Sequence, residues 1–310
     1  MMQLFHSIGR TAALVYLASA VVAGTACTIC SAAPAEIVVV QGADIKPFDD
    51  ALEGFESTCE CTISEVIISG SETSDIAGRA RRLHPDAVLA LGADALAKVR
   101  TIRDIPIFYT MTAGARHPFG ELSNLSGVSM FISAERQIDA IRELFPGARR
   151  IGIIYDARNT AALIERTIQY GRSNSVEVVA KQTSSARDVQ SLLEGMKGQI
   201  DVLMMVPDVT VTTPETLDSM LLFSFRNRVP IFTFSEKYVQ QGAVAALIVA
   251  PYDLGAQTGE IARKLMREKA ERTAVRSYAK KQVLMINTRI AKKLGIVISD
   301  AIMKKSVKVK

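Results

Sequence analysis

Short runs of β-branched and other apolar residues alternate with helix-length polar stretches along most of this chain. The order of runs occurs twice, with the first copy starting at Ile37 and the second at Ile151. Runs that are apolar at nearly every position are typical of parallel strands buried on both faces of a sheet. The matching pairs are 37–40 with 151–154, 66–68 with 176–179, 87–91 with 202–206 and 106–110 with 230–234.

This periodicity predicts an α/β protein with two doubly wound parallel-sheet lobes joined by a hinge, and a cleft between the lobes. In the first lobe, strands are expected at 37–41, 62–68, 87–91, 105–110 and 125–130, and helices at 49–57, 73–82 and 93–101, with a helix at 134–144 leading to the second lobe. In the second lobe, strands are expected at 150–155, 175–181, 201–206, 230–234 and 243–249, and helices at 160–172, 186–195 and 213–227.

The N-terminal segment has the pattern of a secretory signal peptide. Arg10 is the only charged residue in the first 35, the stretch 11–26 is apolar or small, and small residues surround Pro34. A basic start, an apolar core and a small-residue cleavage zone predict export and a periplasmic location for the mature protein. An uncleaved membrane anchor and a lipid on Cys27 are the alternatives.

Composition narrows the classes of function. The chain has 37 Lys and Arg against 32 Asp and Glu, and its bases are scattered among acids except in the tail 304–310, which we expect to be a solvated end. No nucleic-acid partner is therefore expected. Outside the signal segment, Cys59 and Cys61 either form a bridge or stay reduced, and with three histidines in the whole chain we expect no metal site and no cofactor.

Candidate ligand contacts follow from the strand ends, because ligands of open parallel sheets sit outside the carboxyl ends of the strands. Asp208 ranks first among them, since it directly follows a buried strand and has threonines beside it, so its carboxylate is a candidate partner for an ammonium or hydroxyl group. The aromatic candidates for covering an apolar ligand are Tyr109, Phe131, Tyr155, Phe234 and Tyr252. The predicted ligand-binding residues are Asp44, Ser69, Ala93, Asp94, Thr112, Tyr155, Asp208, Thr210, Ser235, Glu236 and Tyr252.

A series of stretches between 124 and 298 has a recognisable order and spacing. The stretches are Asn124-Leu-Ser-Gly-Val-Ser129, 137–155, 201–208, Val229-Pro-Ile-Phe232, Gly242-Ala-Val-Ala245, Tyr252-Asp-Leu-Gly255 and 286–296. In these stretches the chain resembles the extracytoplasmic substrate-binding proteins of ABC importers, of the tryptophan/tyrosine-binding type. The resemblance implies a type I periplasmic binding protein fold, three hinge crossings, a small-molecule ligand such as an amino acid, a monomeric state and an inner-membrane permease as partner. Its domains would be a signal peptide at 1–35, an N-terminal lobe at 36–130 plus 253–277, and a C-terminal lobe at 131–252 plus 278–310.

The chain departs from this family pattern in three loops. Thr112-Ala-Gly-Ala-Arg116 stands where the family usually has an Asp-Pro pair, Pro251 precedes Tyr252 in place of Asp, and Glu236 follows Ser235 in place of Asp. Arg116 and His117 thus enter a cleft loop. These changes favour a ligand that is less cationic than an ordinary amino acid, or even anionic, unless Asp94, Asp208 or Glu236 supplies the missing charge.

Two other functions remain open from the sequence. The same cleft would serve a sensor that is read by a histidine kinase or chemoreceptor. A periplasmic α/β enzyme is the alternative from another class, but the chain has no Gly-x-Ser-x-Gly elbow, phosphate-binding loop or dinucleotide-binding glycine motif, and we expect no enzyme.

Overall fold

The computed structural model describes residues 33–68, 75–112, 122–267 and 273–309. Within these ranges the chain forms two sheets, one of six strands and one of seven. In the first strand, residues 37–40 are fully buried. Val38 and Val40 enter the core on one face of the sheet and Ile37 and Val39 enter the core on the other, so helices must cover both faces.

The six-stranded sheet contains parallel pairings throughout, in the order β2-β1-β3-β4-β5-β11. Most of its strands come from the first part of the chain, and the last comes from far downstream. The strands are β1 Ala35–Gln41, β2 Cys61–Ile68, β3 Ala87–Leu91, β4 Ile107–Thr112, β5 Leu125–Ser129 and β11 Arg276–Tyr278.

The seven-stranded sheet has the order β7-β6-β8-β9-β10-β12-β13, in which β12 runs antiparallel to β10 and the other pairings are parallel. Its strands are β6 Arg150–Tyr155, β7 Glu177–Gln182, β8 Val202–Met204, β9 Ile231–Thr233, β10 Ala245–Ile248, β12 Val283–Asn287 and β13 Val307–Val309.

The helices flank these sheets, and a 3₁₀ turn at Ala186–Asp188 precedes α6. The helices are α1 Lys46–Cys59, α2 Ile76–Arg82, α3 Ala93–Val99, α4 Ala134–Leu144, α5 Ala157–Ser173, α6 Val189–Gly195, α7 Pro214–Asn227, α8 Glu236–Gln241, α9 Pro251–Arg267, α10 Thr288–Lys293 and α11 Asp300–Lys305.

The internal repeat has a direct structural counterpart. Strands β2-β1-β3-β4-β5 of one sheet and β7-β6-β8-β9-β10 of the other lie in the same spatial order. Each pair of matching sequence runs therefore occupies equivalent places in the two sheets. The predicted fold class, two doubly wound parallel-sheet lobes, is confirmed.

Two local elements were not expected. The tail is solvated, with Lys304, Lys305 and Lys308 exposed, but it is regular, because α11 ends at Lys305 and β13 then pairs with β12 at the sheet edge. Helix α8 follows Ser235 directly, in a stretch expected to be a loop. The helix expected at 213–227 is present as α7. It begins at Pro214 with Thr213 as its cap, and Thr213 and Thr216 form reciprocal hydrogen bonds.

Helix α9 packs against α1 and against strands β4 and β5 of the six-stranded sheet. Glycines bring the two helices into backbone contact: a Cβ atom on Gly255 would lie 1.8 Å from the Ala51 carbonyl oxygen, and one on Gly54 would lie 2.0 Å from the Tyr252 carbonyl oxygen. The Thr58 hydroxyl also donates to the Ala256 carbonyl at 2.7 Å. Any side chain larger than hydrogen at these two positions would separate the helices.

Cys59 and Cys61, whose state the sequence left open, form a disulfide. The bridge spans the junction between α1 and β2, where Glu60 adopts a left-handed backbone conformation with φ of 55°. The Glu60 carboxylate forms ion pairs with Arg263 and Arg267 of α9. The bridge and the ion pairs thus fix the C-terminal end of α1 next to α9.

In the ranges that the structure describes, no helix combines the length and apolarity that crossing a lipid bilayer requires.

Candidate functional site

The predicted contacts in the six-stranded sheet lie at the carboxyl ends of its strands. Asp44 follows β1 and is exposed, and Ala93 and Asp94 form the first turn of α3, where Asp94 pairs with Lys98 at 3.3 Å. Thr112 ends β4 and is buried, with its carbonyl oxygen accepting from the Met130 amide. Ser69, Arg116 and His117 lie outside the described residues.

Asp208 is 1% exposed, and its carboxylate accepts hydrogen bonds from within its own lobe. Oδ2 accepts from the Asp156 amide at 2.8 Å and from the Thr160 hydroxyl at 2.9 Å. Oδ1 accepts from the Asn159 side-chain amide at 2.9 Å and from the backbone amides of Thr210 and Val211 at 3.0 and 3.3 Å. Five donors therefore occupy the carboxylate that we expected to hold a ligand, and the structure gives it the role of joining the loops after β6 and β8.

Asp156 is a second buried carboxylate beside the first. It accepts from the Arg158 guanidinium and from the Thr210 hydroxyl, the latter at 2.9 Å. The Arg158 guanidinium holds the pKa of Asp156 well below its usual range against the opposing effect of burial, and bonds from the Arg158 amide and Thr210 add to the shift. The same contact raises the pKa of Arg158. Thr210, another predicted ligand contact, is thus shared between two structural carboxylates.

The two predicted tyrosines lie in different surroundings. Tyr155 ends β6 and packs against the hydrophobic core on one face of the seven-stranded sheet. Tyr252 stands in the first turn of α9 with 42% of its surface exposed, and its backbone carbonyl faces α1. Neither residue lines the cavity described next.

A cavity of about 390 Å³ lies where residues of both sheets and of the segments that connect them come together. Ser235 and Glu236 are the two predicted ligand contacts on its wall. The six-stranded side contributes residues of α1, β4 and α9, and the seven-stranded side contributes residues of α4 and β10 and those after β8 and β9. The segments that follow β5 and β10 supply the rest. Its lining is Pro47, Met111, Met130, Phe131, Ile132, Gln137, Pro207, Phe234, Ser235, Glu236, Leu247, Ile248, Val249 and Pro251.

The cavity wall is mostly apolar. Of the aromatic candidates, Phe131 and Phe234 line it, whereas Tyr109 is buried in the six-stranded sheet. Each lining ring is supported by a tyrosine outside the cavity: the ring centroids lie 6.5 Å apart for Phe131 and Tyr278, and 5.5 Å apart in an edge-to-face arrangement for Phe234 and Tyr238. A wall of this kind suits a ligand with an apolar body.

Three polar side chains interrupt this wall: Gln137, Ser235 and Glu236. Among the described lining residues, Glu236 is the one that carries a charge. It stands in the first turn of α8, and its Oε1 accepts from Gln240 at 3.1 Å, which leaves the second carboxylate oxygen available to a ligand. Within the described ranges, no three His, Cys, Asp or Glu side chains are grouped as a metal site would require.

Gln137 was not among the predicted contacts. The sequence contains a signal for it, because Ala134, Ile138, Ile141 and Leu144 form the buried face of α4 and Gln137 shares that face. A polar residue on an otherwise apolar helix face must meet a partner. Met130, Ile132 and the residues of β10 had no such signal, since an apolar residue between two strands is expected in a core as readily as in a cavity.

Comparisons with known proteins agree with this architecture. A model of the family described as ABC transporter substrate binding protein matches residues 69–310. A curated tyrosine-binding protein from Clostridioides difficile is 27% identical over 210 residues, and the match spans 64% of this chain but 59% of that relative.

Solved structures with the same fold include an ABC domain in complex with L-Trp from Streptococcus pneumoniae, which covers 90% of this chain and 100% of its own at 18% identity and a TM-score of 0.62. The ligand-free, open structure of a substrate-binding protein with adhesive properties from Clostridium difficile covers 89% and 99% at 20% identity and a TM-score of 0.74. The family model covers well over half of the sequence, so this chain belongs to the ABC transporter substrate-binding protein family.

Proposed function

We propose that this protein is an exported solute-binding protein that closes two lobes on a small molecule and delivers it to an ABC importer permease in the inner membrane. The observation that carries the proposal is the cavity of about 390 Å³, whose walls come from both sheets and from the segments between them. A largely apolar wall with a few polar groups, in a volume of this size, is typical of small-molecule sites.

The two moving bodies in this proposal are the lobes 36–130 plus 253–277 and 131–252 plus 278–310, with 1–35 removed as a signal peptide on the way to the periplasm. The strand order supports the division, since β11 at Arg276–Tyr278 pairs with β5 and β12 at Val283–Asn287 pairs with β10. A ligand that contacts both walls favours the closed arrangement by the difference in its affinity for the two states.

The proposed ligand is an amino acid or a related amine with an apolar side chain. Glu236 supplies a carboxylate for an ammonium group at the cavity wall, and Phe131 and Phe234 supply surfaces for the side chain. The tyrosine-binding and L-Trp-bound relatives are in keeping with such a ligand. A charge buried on ligand closure is stabilised only when an opposite charge faces it.

A thermal-shift screen of the exported protein over amino acids, nucleosides and small anions tests this function. We expect an aromatic or aliphatic amino acid to raise Tm, because a ligand that binds only the folded state stabilises it by mass action. The Glu236→Gln variant should lose most of that shift, whereas Glu194→Gln, on the exposed side of α6, should keep it. If no compound in the screen raises Tm, the proposed function is wrong.

A further inference from the structure

Two buried glutamines hold connecting segments between the sheets, but they differ in one respect. Gln257 is 8% exposed and uses both ends of its amide: its Nε2 donates to the Ser277 hydroxyl at 3.1 Å and to the Tyr278 carbonyl at 3.0 Å, and its Oε1 accepts from the Lys280 amide at 2.9 Å. Gln257 is thus fully paired within the protein.

Gln137 is 6% exposed and uses one end only. Its Nε2 donates to the Ile132 carbonyl at 2.7 Å, in the segment that connects the two sheets after β5. Its Oε1 makes no hydrogen bond with the described residues, and the side chain lines the cavity. Since the bond to Ile132 fixes which end of the amide is the nitrogen, the oxygen is the polar atom that this side chain offers to a ligand.

Gln137 shares its cavity with apolar side chains such as Phe131, Ile132 and Leu247, and the charged group of the cavity, the Glu236 carboxylate, stands on a different helix, α8. A neutral acceptor in an apolar wall suits a neutral N–H or O–H donor, and a carboxylate suits an ammonium group. A buried acceptor that a ligand fails to pair with costs binding energy, so such an atom rejects ligands that lack the donor.

We propose that Gln137 is a specificity-determining residue whose amide oxygen accepts a hydrogen bond from a donor on the ring of the ligand. This inference rests on the proposed function and deepens it. It separates ligands that share an amino-acid backbone: a phenol O–H or an indole N–H satisfies Gln137, and an unsubstituted phenyl ring does not.

Isothermal titration of the exported protein with L-tyrosine, L-tryptophan and L-phenylalanine tests the proposal. We expect the wild type to bind at least one of the first two about tenfold or more tightly than L-phenylalanine, the effect of one lost hydrogen bond. In Gln137→Met, which keeps the length of the side chain without its acceptor, that preference should fall to about threefold or less. Gln257→Met should lower Tm and leave the preference unchanged.

A second measurement uses the wild type alone, so it tests the role of Gln137 even if the Gln137→Met protein does not fold. O-methyl-L-tyrosine and 1-methyl-L-tryptophan lack the ring donor, and both should bind no better than L-phenylalanine. A wild type that binds none of these amino acids would overturn the proposed ligand class together with this inference. A Gln137→Met protein that keeps the preference, or methylated ligands that bind as tightly as their parents, would overturn the role of Gln137 alone.

Discussion

The side-chain amide of Asn159 donates to Oδ1 of Asp208 across 2.9 Å, which ties the first turn of α5 to the loop that follows β8. The same carboxylate accepts four further bonds, so it organises the end of the seven-stranded sheet. A charged acceptor with this many donors is costly to remove, because the backbone amides of Asp156 and Val211 are then left unpaired in a buried place.

We therefore expect Asp208→Ala to lower the free energy of unfolding by about 3 kcal/mol. Urea unfolding followed by circular dichroism measures the loss. Asp218→Ala, at an exposed position of α7, is the matched control and should stay close to the wild type. Equal stabilities for the two variants would contradict the structural role of Asp208.

The contact between α1 and α9 predicts that Gly255→Ala lowers stability by about 3 kcal/mol or more, because the new methyl group would meet a backbone carbonyl that cannot move aside. Gly195→Ala is the control, since a Cβ atom at that helix position meets nothing within 4 Å. The free energy of unfolding of the control should equal that of the wild type or exceed it by up to about 1 kcal/mol. Thermal melts of both proteins suffice, and a Gly255→Ala protein that melts with the wild type would rule out the close approach.

The ion pair at the carboxyl end of β6 predicts a dependence of stability on pH. The folded-state pKa of Asp156 lies well below its unfolded value, so the stability that this group contributes is present above about pH 4 and is lost as the pH falls through the folded pKa. Arg158→Met should therefore destabilise the protein at pH 7, and its difference from the wild type should shrink toward zero as the pH falls below about 4.

Urea midpoints measured from pH 7 down to about pH 2 follow that difference, because the folded-state carboxylate of Asp156 takes up its proton only well below the unfolded-state pKa. Arg187→Met, which removes an exposed arginine near the same edge, should differ from the wild type by a small and constant amount. An Arg158→Met difference that stays constant across the range would show that the ion pair is not its origin.

The disulfide predicts a small effect on stability, since the loop that it closes contains a single residue between the cysteines. Loop-closure entropy gives about 2 kcal/mol or less for such a short loop. The double variant Cys59→Ala with Cys61→Ala should melt slightly below the oxidised wild type and together with the wild type treated with a reductant. A loss several times larger would mean that the bridge holds more than this junction.

Much of the fold follows from local sequence patterns. Strands β3 and β6 and helix α4 have the predicted limits, because a fully apolar run bounded by polar residues, or a serine cap before an amphipathic helix, fixes both ends. Helix α8 and strand β13 escaped prediction, since α8 spans only 236–241 and β13 is a lysine-flanked edge strand whose pairing depends on β12.

The site was less predictable than the fold for a physical reason. Strand ends identify which loops share one edge of a sheet, and this placed Ser235 and Glu236 on the cavity wall. Strand ends do not distinguish a loop whose residues bond within their own lobe, as at Asp208, from a loop that faces the opposite lobe. That distinction depends on how two sheets meet, which no local pattern encodes.

The cavity wall contains Phe131, Ile132 and Val249, residues of the very segments that join the two sheets. If the lobes close on a ligand as proposed, a substitution at any of them alters both the surface that the ligand touches and the connection that sets the balance between open and closed forms. An observed Kd is the intrinsic constant divided by the fraction of competent molecules. Under the proposed function, a single substitution in these segments therefore changes both the ligand that is recognised and the fraction of molecules that are ready to recognise it.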